Sequence, residues 1–165
     1  MSKTWVSLFK NKVIQVKGEH YRIVNASIAG ETTGGGLSRL SDLIKRNKPN
    51  IIIIELGAND GLRGLPPVQI QKNLQKMIKI SKKQTSKILL IGIQIPDNYG
   101  TAYVKTFFTL FSKVAKNNHV LLLPNLLEGI DDKPELFQDD GLHPNNNAQS
   151  LILMNVWKKF ITLIN

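Results

Sequence analysis

The stretch Ile51-Ile52-Ile53-Ile54, followed at once by Glu55-Leu56-Gly57-Ala58-Asn59-Asp60-Gly61, decides how this chain folds. Four consecutive β-branched residues predict a strand that is covered on both faces, as the strands of parallel sheets are. The polar residues that follow predict a loop at the carboxyl end of this strand. Open parallel sheets collect their binding and catalytic groups at that end, so this loop is a candidate for function.

Strand-like and helix-like segments alternate on both sides of this stretch. Apolar residues recur at helical spacing in segments that start near Trp5, Leu37, Pro66, Tyr103 and Ala148. Segments rich in apolar residues predict strands at residues 21–25, 51–54, 88–95 and 120–123. Gly34-Gly35-Gly36 is predicted to be a flexible break before the second helix. The alternation predicts an α/β protein, a three-layer α/β/α sandwich around a parallel sheet, in one domain of residues 1–165.

The composition excludes several classes of protein. The chain has 165 residues, of which 42% are hydrophobic, and this suits a globular domain with a real core. It has no cysteine, which excludes disulfide scaffolds, thiolate–zinc sites and cysteine nucleophiles. No apolar run approaches the ~18 residues of a membrane span, and residues 1–17 contain no signal-peptide core. The sequence as given therefore predicts a cytoplasmic protein without an integral membrane segment.

The net charge is strongly positive, at 22 − 12 = +10. Basic proteins often bind nucleic acid or another anionic surface. Lysine outnumbers arginine 18 to 4, however, and recognition of phosphates and bases favours arginine. Lys72, Lys76, Lys79 and Lys83 lie opposite the apolar side of their predicted helix, which indicates a solvated face. No nucleic-acid partner is therefore predicted.

No metal or cofactor is predicted either. The three histidines, His20, His119 and His143, are scattered without the spacing of metal ligands. The glycine run at residues 34–36 lacks the spacing of a phosphate-binding loop. The chemistry of this chain is therefore expected to come from its side chains and backbone.

Three polar clusters lie where the predicted strands end or where the last helix begins. They are Asn25-Ala26-Ser27-Ile28-Ala29-Gly30-Glu31-Thr32, Glu55-Leu56-Gly57-Ala58-Asn59-Asp60-Gly61 and Asp139-Asp140-Gly141-Leu142-His143-Pro144. Each has an ordinary structural explanation, because Ser27 and Thr32 suit helix caps and the other two clusters suit turns. Their occurrence together, in this order, favours a functional site.

These clusters belong to longer blocks that resemble those of the SGNH (GDSL-type) hydrolases. The blocks run from Asn25 to Thr32, from Glu55 to Gly64, from Asn98 to Gly100 and from Gln138 to Pro144. The chain is most similar to members that act as acyl thioesterases, lysophospholipases and arylesterases. The resemblance implies an SGNH or flavodoxin-like fold and a serine-type hydrolase. Its substrate would be a small acyl ester, thioester or lysophospholipid.

The resemblance also implies a role for four residues. The backbone N–H of Gly30 and the side-chain amide of Asn59 would donate to the oxyanion of the tetrahedral intermediate. His143 would be the general base, and Asp140 the carboxylate that orients it. A glycine lets the backbone approach a substrate closely, and an imidazole titrates near neutrality, so these residue types suit those roles.

The block that carries the family's nucleophile is absent from this sequence. Family members have Gly-Asp-Ser at the end of their first strand, and no Gly-Asp-Ser occurs here. None of the other serines lies at a predicted turn from a strand to a helix, where the nucleophile would be expected. The candidates considered are Ser2, Ser7, Ser27, Ser38 and Ser41. The chain is therefore expected to be an N-terminally incomplete SGNH domain that lacks its first strand. Residues 21–25 and 51–56 would then pair directly or leave backbone groups unpaired.

Two other functions remain open from the sequence. One is a catalytically inactive SGNH-like protein that binds acyl groups without turnover. The other is a basic nucleic-acid-binding module, which predicts steeply salt-dependent affinity. Within the enzyme hypothesis, His143 with Asp140 could also activate water without any serine, at a feeble rate. The in-frame codons that precede Met1 are expected to encode an apolar strand ending in Gly-Asp-Ser if the chain is incomplete.

Overall fold

The structure is a computed structural model that describes residues 4–164, and these residues form two compact units. The first unit is Ala26–Leu126. The second unit combines residues 4–25 with residues 127–164. The organisation of residues 1–165 as one SGNH-type domain stays a prediction.

The first unit is built on a parallel sheet of three strands in the order β1-β2-β3. The strands are β1 at Ile52–Ile54, β2 at Ile88–Ile91 and β3 at Leu121–Leu123. Ile52 lies opposite Ile88 across the first pair, and Leu89 lies opposite Leu121 across the second. All three strands fall within predicted ones, and their parallel pairing confirms the interpretation of the β-branched run.

Helices of the first unit enclose its hydrophobic core. They are α2 at Thr33–Asn47, α3 at Ala58–Leu62, α4 at Pro67–Ser81 and α5 at Thr101–Asn118. Helix α4 packs against both α2 and α5. Leu74 and Ile78 of α4 and Phe107 and Val114 of α5 are fully buried in one cluster with sheet residues such as Leu90. Helical spacing predicted these inward faces, whereas the short helix α3 was not predicted.

The second unit is held together by its first and last helices. These are α1 at Trp5–Lys17 and α6 at Gln149–Ile164. The rings of Phe9 and Phe160 meet edge to face with centroids 4.7 Å apart, and the Trp5 N–H donates to the Gln149 side chain at 2.8 Å. Both helices confirm the predicted ones. Among residues 4–164, no helix is long and apolar enough to cross a membrane.

The predicted strand at residues 21–25 is wrong. These residues adopt no regular secondary structure, Val24 is 48% exposed, and the Tyr21 N–H turns back to the Gly18 carbonyl. An extended segment becomes a strand only when a neighbour takes up its backbone N–H and C=O groups. Within the described residues the sheet contains only β1, β2 and β3, so direct pairing of this segment with β1 does not form.

The predicted flexible break at Gly34-Gly35-Gly36 is also wrong, because these glycines form the first turns of α2. Thr32 caps the helix, since its hydroxyl accepts a hydrogen bond from the Gly35 N–H. Gly36 is buried, and a Cβ there would lie 2.3 Å from Cδ1 of Leu56. Because glycine has no side chain, α2 can pack closely at Gly36 against the segment that follows β1.

Candidate functional site

The loop from Ala26 to Thr32 presents Gly30 at a left-handed turn. The φ angle of Gly30 is +74°, a conformation that favours glycine. A Cβ at this position would meet no atom within 4 Å, so the space beside Gly30 is open. None of the residues from 4 to 164 accepts a hydrogen bond from the Gly30 N–H. This N–H is therefore an available donor.

Asn59 lies beside this loop, at the start of α3. Its Nδ2 donates to the carbonyl of Glu31 at 3.1 Å. A side-chain amide carries two N–H groups, and this bond uses one of them. The structure thus places a second amide donor next to the residue that follows Gly30.

Two arginines anchor the same loop, and the sequence analysis missed both. Arg39 of α2 pairs with the Glu31 carboxylate and donates to the Ala26 carbonyl at 2.6 Å. Its hydrogen bond with Glu31 raises the pKa of Arg39. Arg63 donates to the Gly30 carbonyl at 3.2 Å. Arg63 lies inside the Glu55–Gly64 block and could have been singled out there, whereas nothing local marks Arg39.

A buried carboxylate joins the start of α2 to α3. Asp60 is 1% exposed, and its two oxygens accept from the Thr33 N–H at 2.8 Å and the Thr33 hydroxyl at 2.5 Å. Asn73 of α4 donates to that hydroxyl at 3.0 Å. Thr33 is the first residue of α2, where the helix dipole favours a negative charge. This network fixes the position of the loop that precedes α2.

Replacing Asp60 with alanine is expected to destabilise the protein by about 2–4 kcal/mol, because the buried N–H and hydroxyl of Thr33 lose their partner. Asp42→Ala, on the exposed surface of α2, is the matched control and should change stability by less than about 0.5 kcal/mol. Urea unfolding followed by circular dichroism measures both variants. Equal stability of Asp60→Ala and wild type would contradict the structural role of this network.

A second carboxyl group lies at the carboxyl end of β1. Glu55 is partly buried, and burial raises its pKa to about 7. Removing a carboxylate from water disfavours its charged form, so Glu55 is only partly ionised at neutral pH. The sequence analysis assigned it no chemical role, and the raised pKa is a property that only its burial creates.

In the second unit, Asp140 and His143 form a hydrogen-bonded pair. Nδ1 of His143 lies 2.6 Å from Oδ2 of Asp140. The other carboxylate oxygen accepts from the backbone N–H groups of Leu142 and His143, at 2.9 and 3.0 Å. Gly141 makes this tight turn possible with a φ angle of +65°. Three hydrogen bonds therefore fix the carboxylate against the imidazole.

These bonds favour the ionised form of Asp140. The hydrogen bonds from His143 and Leu142 lower the pKa of Asp140 to about 2, so its carboxylate is ionised at neutral pH. A carboxylate that accepts from Nδ1–H leaves Nε2 of the ring as the proton acceptor. The side chain of His143 is 70% exposed. The imidazole is thus oriented by an anion and open to an incoming molecule.

The serines considered as nucleophiles occupy unsuitable places. Ser7 lies on α1 and its hydroxyl donates to the carbonyl of the capping residue Thr4 at 2.7 Å. Ser38 lies on α2 and its hydroxyl donates to the Gly35 carbonyl of the same helix at 2.7 Å. Ser41 lies on α2 and Ser27 in the loop that carries Gly30, while Ser2 lies outside the described residues. None of the four candidate serines within residues 4–164 directly follows a strand. The structure brings Gly30 together with Asn59 and Asp140 together with His143, the first pair in the first unit and the second pair in the second.

The family match and the sequence relatives of this chain are all lipases, esterases or related acylhydrolases, and each match covers most of the chain. Residues 2–151 match the GDSL-like Lipase/Acylhydrolase family. Esterase TesA of Pseudomonas aeruginosa is 44% identical over 156 residues, which are 94% of this chain and 77% of that protein. Thioesterase 1/protease 1/lysophospholipase L1 of Escherichia coli K12 is 41% identical over 143 residues, 87% of this chain and 69% of that protein.

Solved structures agree with these sequence matches. A crystal structure of TesA superimposes with a TM-score of 0.93 at 42% identity, covering 98% of this chain and 89% of that one. The crystal structure of AlinE4, described as an SGNH-hydrolase family esterase, gives a TM-score of 0.78 at 28% identity, with coverage of 99% and 87%.

Proposed function

This chain belongs to the GDSL-like Lipase/Acylhydrolase family, and on that basis we propose that it hydrolyses acyl esters and thioesters. The observation that carries the proposal is the 2.6 Å contact between Asp140 and the exposed imidazole of His143. A carboxylate that orients a solvent-accessible imidazole is the arrangement of a general base.

In this proposal His143 moves the protons of the reaction. Its Nε2 accepts the proton of the attacking group and later returns it to the departing alcohol or thiol. Asp140 stays ionised throughout, because its pKa is about 2. It stabilises the imidazolium that forms between the two steps and holds the ring in one tautomer.

Gly30 and Asn59 would stabilise the negative charge that develops on the substrate. Attack on the acyl carbon converts its carbonyl oxygen into an oxyanion, and preorganised donors lower the energy of that state. The unpaired Gly30 N–H and the second N–H of the Asn59 amide supply two such donors. Arg39 and Arg63 anchor the loop that carries Gly30, and Asn59 is itself hydrogen-bonded to that loop at Glu31. This supports preorganisation, because the donors need not reorient during the reaction.

The attacking group that this chain's own residues can activate is water. The sequence has no Gly-Asp-Ser, and no serine is assigned as nucleophile. As the water oxygen bonds to the acyl carbon, His143 takes its proton, and collapse of the intermediate then breaks the C–O or C–S bond. The products are a carboxylic acid and an alcohol or thiol. This route, which uses only the residues of the sequence given, has no covalent acyl-enzyme step, so we expect slow turnover from it.

The substrate class follows from the relatives and from exposed apolar residues. The relatives are named esterase, arylesterase and thioesterase 1/protease 1/lysophospholipase L1. Ile28 lies two residues before Gly30 and is 57% exposed, which suits contact with an acyl chain. Aryl esters, acyl thioesters and lysophospholipids are therefore the proposed substrates.

One alternative is a protein that binds acyl groups without turning them over, which the exposed Ile28 side chain would equally suit. Hydrolysis of p-nitrophenyl acetate and of acyl-CoA by the purified chain separates the two functions. Release of nitrophenol or thiol above the buffer rate, saturating with substrate, supports the hydrolase. Binding of a non-hydrolysable acyl thioether analogue without any such release supports the alternative. Neither binding nor release would refute both.

A further inference from the structure

The positive charge of this protein is concentrated in its first unit. Ala26–Leu126 contains 14 lysine and arginine residues and 5 aspartate and glutamate residues, so its net charge is 14 − 5 = +9. The remainder of the chain has 8 basic and 7 acidic residues, a net charge of +1. An even spread of lysine along the sequence does not explain this asymmetry.

Most of the acidic groups of the first unit do not reach its surface as free charges. Glu31 pairs with Arg39, Asp60 is buried against Thr33, and Glu55 is partly buried with a raised pKa. Helices α4 and α5 contain no acidic residue at all, as their sequences show. The outer surface of these two helices therefore carries lysine charges that no carboxylate of either helix balances.

These lysines border an open groove beside α4. The groove has a volume of about 330 Å3 and is lined by Lys72, Gln75, Lys76, Lys79, Lys82 and Asn118. All four lysines are exposed, and Lys82 donates to the Asn118 carbonyl at the end of α5. Within the part of the chain that the structure describes, none of the four pairs with a carboxylate. We call this surface the lysine groove.

We propose that the lysine groove docks the protein on the surface of an anionic phospholipid bilayer. Each lysine near such a surface is attracted by its negative potential, and several exposed lysines act together. A lysine ammonium is a point charge on a flexible stem, which suits a mobile, diffuse layer of headgroup phosphates. The groove offers positive charge without acidic neighbours that would repel those phosphates.

The composition of the groove favours a bilayer over a nucleic acid. Sequence-reading contacts and bidentate phosphate contacts use arginine, and single-stranded nucleic acids also need aromatic side chains on which bases stack. The residues that line the groove include neither arginine nor an aromatic residue. This inference does not rest on the proposed hydrolase activity, because docking requires no turnover.

Co-sedimentation of the full chain with vesicles tests the proposal. One set of vesicles contains phosphatidylcholine alone, and the other contains phosphatidylcholine and phosphatidylglycerol. We expect the wild type to bind only the second set and to be released by added salt, which screens exposed charges. The variant K72E/K76E/K79E is expected to bind at least ~100-fold more weakly. K72Q/K76Q/K79Q removes the same charges without adding new ones and should also bind ~100-fold more weakly.

The control variant is K10E/K133E/K158E, which changes the net charge by the same amount on exposed residues of the second unit. It should keep binding to phosphatidylglycerol vesicles within ~10-fold of wild type. Equal losses in the control and groove variants would overturn the proposal, because net charge alone would then explain binding. Equal wild-type binding to both vesicle sets would overturn it as well. So would binding to duplex DNA or to single-stranded RNA with no binding to vesicles.

Discussion

Replacing His143 with alanine is expected to lower the rate constant for p-nitrophenyl ester hydrolysis by about 10²–10⁴-fold, the usual contribution of a positioned general base. The substrate should still bind with a similar affinity, because the imidazole acts on protons rather than on the acyl group. Steady-state kinetics of nitrophenol release measure both quantities. His20→Ala removes an exposed histidine with no assigned role and should leave the rate unchanged. Unchanged turnover in His143→Ala would refute the proposed base.

The ionisation of Asp140 bears on the pH dependence of this activity. Its pKa of about 2 keeps the carboxylate ionised at any pH used in such an assay. Protonation of Asp140 is therefore not expected to lower the activity between pH 8 and pH 5. Asp140→Asn removes the charge that stabilises the imidazolium and should lower the rate throughout this range.

The second large effect is expected for Asn59→Ala. Loss of one oxyanion donor typically lowers the rate constant of acyl transfer by about 10²–10³-fold. The measurement is the same ester assay, with the Michaelis constant determined alongside the rate constant. Because the donor acts mainly in the transition state, the rate constant should fall far more than substrate binding.

Asn59 also holds the loop at Glu31, so a positional role must be separated from a catalytic one. Arg63→Ala is the matched control, because Arg63 holds the same loop through the Gly30 carbonyl but is assigned no contact with substrate. We expect Arg63→Ala to lower the rate constant by less than ~10-fold. Equal losses in the two variants would show that Asn59 acts only by positioning the loop.

Most of the fold was predictable because it follows local periodicity. Apolar residues at helical spacing predicted α1, α4, α5 and α6, and apolar runs predicted β1 to β3. The comparisons confirm the SGNH-type α/β fold that the sequence blocks implied. The segment at residues 21–25 has the composition of a strand, yet it is not one. A strand depends on a partner elsewhere in the chain, and composition does not report whether that partner is present.

The candidate site was predictable to a similar extent. The blocks singled out Gly30, Asn59, Asp140 and His143. In the structure Asp140 is hydrogen-bonded to His143, and Asn59 donates to the carbonyl of Glu31, the residue after Gly30. Asp140 and His143 are three residues apart, so the turn that joins them is a local property of the sequence. Their roles in catalysis stay predictions that the variants above test.

By itself, the sequence determined the order of helices and strands apart from helix α3 and the segment at residues 21–25, and also the family blocks and the local turn that joins Asp140 to His143. The tertiary structure alone decided how Gly30 is held. Arg39 of α2, Asp60 of α3 and Arg63 at the end of α3 anchor the region of this loop, and Gly36 allows α2 to approach Leu56. Local patterns arise from interactions between residues a few positions apart. These anchors are hydrogen bonds and close contacts between distant segments, which exist only after the helices have packed on the sheet.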